Sequence, residues 1–203
     1  MTDTGPKDVA PRLDGFGGQS LSGGLETIAR SVQTYDAAPV HLWNPPYCGD
    51  IGLEIRADGA WFYQGTPIAR PALVALFASV LRKDEDGKTY LVTPVEKIDV
   101  RVADAPFLGV ALAVKTQEAI QVVRIRTNLD TWVSIGPTNP IRFSAQAESG
   151  GLKPYVLVRG RLEALLTRAV YFDLVDLATS VEPAGFWSCG QWWPLAEGPA
   201  IST

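Results

Sequence analysis

From Thr89 onward the chain alternates in the period of strands. "TYLVTPVEKIDVRV", "FLGVALAVK", "AIQVVRIRTN", "TWVSIG", "PIRF" and "PYVLVRG" are short, rich in β-branched or aromatic residues and separated by turn residues. Upstream, "IGLEIRADGAWFYQG" places Ile51, Leu53 and Ile55 on one face, turns at Asp58-Gly59 and resumes through Trp61 and Tyr63. Alternation on both sides of Asp-Gly predicts a hairpin. "TPIARPALVALFASVLRKDEDGK" predicts a helix with Leu73, Leu76, Phe77, Val80 and Leu81 on one face, Pro71 in its first turn and "KDEDGK" as its stop. A second helix is expected over "LEALLTRAVYFDLVDLA", with Leu165, Leu166, Ala169, Phe172, Leu174 and Val175 along one side, and short aromatic strands around "GFWSCGQWWPL" close the chain. At the other end, residues 1–24, including "GFGGQSLSGGL", lack apolar periodicity and read as a flexible arm, followed by a short amphipathic helix from Leu25.

A repeat emerges when "WFYQGTPIARPALVALFASVL" is laid on "YVLVRGRLEALLTRAVYFDLV", with Gly65 on Gly160 and Phe77 on Phe172. Each copy reads as strand, glycine, polar turn, helix, although a glycine at a tight bend produces some of that likeness by local geometry alone. The repeat predicts an α+β protein of two subdomains, residues 25–93 and 94–203, each with a helix-bearing sheet.

Composition narrows the function classes. With 203 residues and 46% hydrophobic content the chain has ample material for a core. Its formal charge of −4 argues against broad nucleic-acid binding, which needs clustered cations facing phosphates. Between Ile120 and Arg168, however, Arg124, Arg126, Arg142, Lys153, Arg159, Arg161 and Arg168 face only Asp130, Glu148 and Glu163. That stretch is either an ordinary solvated face or the wall of an anion pocket. No apolar run is long enough to span a bilayer and no signal-like segment is present, so a cytoplasmic protein without membrane contact is expected. Cys48 and Cys189 are expected to be free thiols.

No motif for metal, phosphate or nucleophilic catalysis is present. The glycines of the N-terminal arm are not followed by Gly-Lys-Ser/Thr, and His41 and Cys48 fit no zinc spacing, so no cofactor is predicted. His41 is the single imidazole available to activate Cys48, and nearness in sequence says nothing of their geometry. The stretch "HLWNPPYCGD" suits a rigid corner, because Pro45 and Pro46 fix the backbone and hold the preceding residue extended. Such a corner also presents Trp43 and Asn44 as an apolar plate beside an amide, a combination that orients rings in small-molecule sites. In "RIRTN", Arg124 and Arg126 point to one side of a strand and offer two guanidinium forks to one anion or acidic partner, with Arg142 and Arg159 in position to join them across the sheet.

The blocks "WNPPYCGDI", "WFYQGTPI", "LVTPVEK", "DAPF", "RTN" and "PYVLVRGRLEAL", in this order, resemble the bacterial family designated domain of unknown function 1285, over roughly residues 25–196. The resemblance implies a duplicated two-domain core, a second domain similar to a pleckstrin-homology-type barrel, and a nucleotide-like ligand between the domains in a signalling role. Block by block it marks Trp43, Asn44, Cys48, Gly49 and Asp50, then Tyr63 and Gln64, then Thr93, Pro94 and Glu96. Asp104, Phe107, Arg126, Asn128, Tyr155 and Arg159 complete the implied site. Cys189 and Gln191 depart from the expected Gly-rich strand and carry no functional weight.

The combined expectation is a non-catalytic ligand sensor. Trp43 would stack on a base-like ring, Asn44 and Glu96 would read its polar edge, and Arg126 with Arg159 would hold phosphate. Two alternatives stay open: an enzyme using Asp50, Glu96 and Asp104 as magnesium ligands or acid and base, and an adaptor docking a signalling protein.

Overall fold

The computed structural model describes residues 38–145, 151–178 and 184–196. The expected N-terminal arm and the helix from Leu25 lie outside these residues. After a single 3-10 turn at Val40–Leu42, the first unit runs β1 (Tyr47–Ile55), β2 (Trp61–Tyr63), β3 (Thr66–Pro67), α1 (Pro71–Ser79), β4 (Leu81–Lys83), β5 (Thr89–Val92) and β6 (Lys97–Val102). These strands form a six-stranded sheet in the order β3-β2-β1-β6-β5-β4. The hairpin expected at Asp58-Gly59 is present, with Ile55 opposite Trp61 and Leu53 opposite Tyr63.

The second unit comprises β7 (Phe107–Gln117), β8 (Ile120–Thr127), β9 (Trp132–Ser134), β10 (Ile141–Ala145), β11 (Leu152–Arg159), β12 (Leu162–Leu166) and α2 (Arg168–Leu177). The hairpin β13 (Gly185–Ser188) and β14 (Gln191–Pro194) follows. Read from its far edge, the second sheet has the order β9-β8-β7-β12-β11-β10, the same pattern as the first. Each sheet is two three-stranded antiparallel meanders joined by a parallel pair of its first and last strands, β1 with β6 and β7 with β12. The units therefore share a topology, but not in the register expected from the sequence. Laying Gly65 on Gly160 matches β2 with β11, whereas the shared strand order matches β2 with β8. The helices also differ in place, α1 lying between the meanders of the first unit and α2 following both meanders of the second.

Both expected helices need trimming. Leu81–Lys83 is a strand paired to Thr89–Leu91, so α1 stops at Ser79 and the "DEDG" segment is a hairpin turn. Leu162–Leu166 is likewise a strand, with Leu162, Ala164 and Leu166 buried in alternation, and α2 starts at Arg168. Within α2 the buried residues are Val170 and Leu174, whereas the expected inward residues Phe172 and Val175 are exposed. Because β6 pairs inside the first sheet, the second unit begins with β7 instead of at residue 94. The result is a mostly β protein with two helices among the described residues. None of its described helices is long and apolar enough to cross a membrane.

Two apolar clusters hold the sheets. In the first, Leu73 and Phe77 of α1 meet Leu53, Ile55, Trp61, Leu91 and Ile98, and Phe107, Leu162 and Ala164 of the second unit join them. In the second, Val170 and Leu174 of α2 and Phe186 and Trp193 of the terminal hairpin cover Val123, Ile125, Phe143 and Val156. Each buried aliphatic or aromatic side chain contributes roughly 1.5–3 kcal/mol of burial. Because Leu162 and Ala164 complete the first core, the two units are packed against one another, and clefts lie where their turns meet.

Candidate functional site

The proline-rich corner leads directly into β1, and Arg82 fixes the segment before it. Arg82 Nη1 donates to the carbonyl oxygens of Val40 (2.7 Å) and Trp43 (2.6 Å), while its Nε and Nη2 donate to Asp84 at 2.6 and 3.2 Å. Partial burial would raise the Asp84 carboxyl, but hydrogen bonds from Arg82 and Lys97 outweigh it and hold the pKa below the ordinary value. Trp43 packs against the first core and Asn44 is exposed. The Cys48 thiol is free and exposed, donating to the Pro46 carbonyl at 3.5 Å. Gly49 has φ +90° at the irregular start of the β1–β6 pairing, a conformation that favours glycine. Asp50 accepts from the Gly52 N–H at 2.6 Å and lies 3.7 Å from Arg101 Nε.

Several other marked residues shape the backbone. Gln64, at φ +48° beside Gly65, forms the β2–β3 turn, and its amide donates to the Tyr63 hydroxyl at 3.1 Å. Thr93, Pro94 and Glu96 form the turn between β5 and β6, where Thr93 Oγ1 accepts from the amides of Val95 (3.3 Å) and Glu96 (3.2 Å). Asn128 Oδ1 accepts from the Leu108 N–H at 3.1 Å, and its amide sits so close to Gly59 that a Cβ there would come within 2.8 Å. Asn128 therefore seats the first unit's β1–β2 turn on the second sheet.

The two arginines expected to share a phosphate do not meet. Arg126 on β8 pairs with Asp130 at 3.2 Å, and its Nε is buried without a hydrogen-bond partner. Arg159 on β11 is an exposed residue whose guanidinium is nevertheless turned inward, 5.6 Å over the Phe107 ring and donating to the Ala78 carbonyl at the end of α1. Burial there lowers the guanidinium pKa from its ordinary value. Strands β12 and β7 lie between these arginines, which at ~4.8 Å per strand sets their backbones ~14 Å apart. Arg159 is a clasp between the units, its fork directed at α1.

Between the sheets lies a cleft of about 380 Å³. Of the marked residues it brings together Asp50 and Asp104, it takes Arg161 and Glu163 from the basic stretch 120–168, and it adds Lys83, Lys88, Asp99 and Arg101, which the sequence did not single out. One wall is a closed polar network. The Tyr155 hydroxyl donates to Asp104 Oδ1 and Lys153 Nζ to Asp104 Oδ2, both at 2.7 Å. Burial, the Asp104 hydrogen bond and the Asp104 charge raise the Tyr155 pKa. Arg142 stacks 4.2 Å over the Tyr155 ring and grips Glu163 with two bonds of 2.6 Å. Asp99 accepts from the Tyr47 hydroxyl, and Arg101 faces Asp50. Lys83 and Lys88 form no ion pair with any described residue. The cleft therefore presents two ammonium groups without a close ion pair, beside carboxylates that are mostly matched by other cations, an arrangement suited to an anion.

A second opening, of about 800 Å³, lies on the other side of the meeting turns and shares Lys83 and Arg161 with the first. Trp43, Asn44, Tyr63, Glu96 and Arg126 line neither opening. The carboxylates weighed as magnesium ligands are also dispersed, Glu96 in the β5–β6 turn and Asp104 held by Lys153 and Tyr155. Among the described residues no group of three His, Cys, Asp or Glu side chains is gathered as a metal-ligand set.

Two like-patterned sheets with a charged cleft between them define a two-domain, mostly β class of protein. The chain belongs to the DUF1285 family: residues 38–105 match the model described as "Domain of unknown function (DUF1285), N-terminal domain" and residues 106–195 the model "Protein of unknown function (DUF1285), C-terminal domain". The junction of the two models coincides with the link between β6 and β7. A crystal structure of a DUF1285 family protein from Silicibacter pomeroyi DSS-3 is 46% identical, with a TM-score of 0.80 over 87% of this chain and 97% of that one. Another, from Shewanella baltica OS155, is 28% identical, with a TM-score of 0.48 over 62% of this chain and 91% of that one. No curated protein matches the chain.

Proposed function

We propose that the protein binds a small phosphate-bearing molecule, without turnover, in the cleft between its two sheets, and that occupancy is read out as a signal. The observation that carries this reading is the pair Lys83 and Lys88, which line the cleft without a close ion pair among the described residues, the Lys88 charge acting on Asp86 only at longer range, while Asp104 and Glu163 are taken up by Lys153 and Arg142. Among the described residues no aromatic side chain lines the cleft, so support falls on the anionic part of a nucleotide-like ligand rather than on a stacked base. The pleckstrin-homology likeness of the second unit belongs to the same proposal, supported by its two antiparallel meanders and by α2 packed against them.

The test is thermal unfolding, followed by tryptophan fluorescence, against inorganic phosphate, pyrophosphate and a nucleotide panel. A ligand at a hundred times its dissociation constant adds ~2.7 kcal/mol to the native state, an expected rise of about 5–10 °C for a chain of this length. Lys88→Gln should shrink that rise. A flat panel with a cooperatively unfolding protein refutes the proposal. An adaptor role is the second reading, favoured by Trp132 and Trp187, which stand 40% and 55% exposed on the second unit. Retention of a protein partner that Trp187→Ser abolishes would establish it.

A further inference from the structure

The two openings share Lys83 and Arg161, and Arg161 bridges to Glu85, which lines the second opening. Arg161, in the β11–β12 turn of the second unit, donates through Nη2 to Glu85 Oε1 in the β4–β5 turn of the first, at 3.3 Å. The bridge is slight. Glu85 is 91% exposed and Arg161 36%, and a single long bond between exposed groups is weakly held.

Arg101, 3.7 Å from Asp50, is as loosely held but lines the first opening alone, whereas Arg161 is the arginine that lines both; the remaining arginines near them are more fully engaged. Arg142 grips Glu163 with two bonds, Arg82 is committed to Asp84 and two carbonyls, and Arg159 is seated on the end of α1. Arg161 uses one of its five N–H donors on Glu85, and its remaining donors make no other hydrogen bond among the described residues. A guanidinium fork prefers two parallel bonds to a phosphate over one long bond to an exposed carboxylate.

We infer that Arg161 is the anion-holding residue of the cleft and that Glu85 is its internal competitor, a latch that a phosphate group displaces on entering. This rests on the reading of the cleft as a ligand site. Displacement exchanges a tie between the two units for a bond to ligand, and it removes the bridge, so the two openings become one groove running past Lys83. Glu85 then sets the concentration at which the groove fills, because every bound phosphate must compete with it for Arg161.

The probe is inorganic pyrophosphate, titrated into the full chain by calorimetry at low ionic strength. Glu85→Gln should tighten binding about two- to five-fold, the release expected from an exposed ion pair. Arg161→Gln should weaken it at least about ten-fold, the size of one charge-assisted bond. Arg161→Lys, which keeps the charge and loses the fork, should fall between the wild type and Arg161→Gln. The double variant Glu85→Gln/Arg161→Gln should bind no better than Arg161→Gln alone. Tightening that survives in the double variant means that Glu85 acts merely as a nearby negative charge, and the latch is refuted. If pyrophosphate binds, Lys88→Gln weakens it, and neither Arg161→Gln nor Glu85→Gln changes affinity, the cleft reading stands and the latch falls. If pyrophosphate binds neither the wild type nor Glu85→Gln, the cleft reading and the latch fall together.

Discussion

Asp104 ties the link after β6 to β11 of the second sheet, and its removal is a quantitative test of how the units are held. Asp104→Ala deletes the acceptor for the Tyr155 hydroxyl and for Lys153 Nζ, each at 2.7 Å. Tyr155 is 8% exposed, so its hydroxyl would be left largely without a partner. A hydrogen bond to a charged group contributes ~1.5–3 kcal/mol, and the Lys153 pair, about a third exposed on the lysine side, adds no more than ~0.5 kcal/mol after solvent screening. The expected loss is ~2–3 kcal/mol, or roughly 5–10 °C in Tm for a chain of this length, measured by urea and thermal unfolding. Tyr155→Phe provides the control. It should destabilise the wild type by ~1–2 kcal/mol and be neutral or favourable in the Asp104→Ala background, where it removes an orphaned hydroxyl. A loss below ~0.5 kcal/mol for Asp104→Ala, or a Tyr155→Phe cost that is the same in both backgrounds, refutes the account. The pKa shift supplies a second readout. Tyr155 titrates higher when folded than when unfolded, so its contribution is complete below pH ~10 and declines as pH rises toward the folded value. Tyr155→Phe should flatten that alkaline decline.

Three further outcomes are expected. Leu162→Ala, in a buried side chain that the second unit lends to the first core, should cost ~2–5 kcal/mol in urea unfolding; a cost under ~1 kcal/mol would mean the units are not packed as described. Ala119→Gly in the β7–β8 turn, where Glu118 and Ala119 both hold positive φ, should raise stability by ~0.5–1 kcal/mol, and a loss would show the turn carries no strain. On acidification, the Asp84 contribution is present above pH ~4 and lost as pH falls through its depressed folded pKa, so tryptophan fluorescence should report loosening around Trp43. An unchanged acid profile in Asp84→Asn contradicts that assignment.

Where a local rule had no competitor, the sequence was legible. Asp58-Gly59 between alternating residues gave the β1–β2 hairpin, and Pro71 opens α1. The same signal, Asp86-Gly87 between "LRK" and "TYL", marks the β4–β5 hairpin, but the helical spacing of Val80 and Leu81 with the preceding leucines overrode it. "LEALL" misled for a related reason. Its residues are strong helix formers, yet Leu162, Ala164 and Leu166 also fit a strand, and pairing with β7 and β11 decides between them. The site was less legible because its partners are remote in sequence. Arg142 reaches Glu163 and Lys153 reaches Asp104 only once the second sheet has formed. Arg126, the most suggestive residue in its strand, is instead paired locally with Asp130.

The parallel seams have a consequence for how the chain reaches this state. Each meander is made of neighbouring strands and can form quickly, whereas β1 must find β6, and β7 must find β12, across nearly the whole of their units. Until a seam closes, each half-sheet carries an open edge at what will become the middle of the finished sheet, with its backbone groups available to another chain. Refolding should therefore be limited by two late zipping events, and its yield should fall as protein concentration rises, through edge-to-edge pairing of half-made sheets. With both seams closed, the first and last strand of each unit lie side by side in the interior of the sheet, where neither can recruit a stranger.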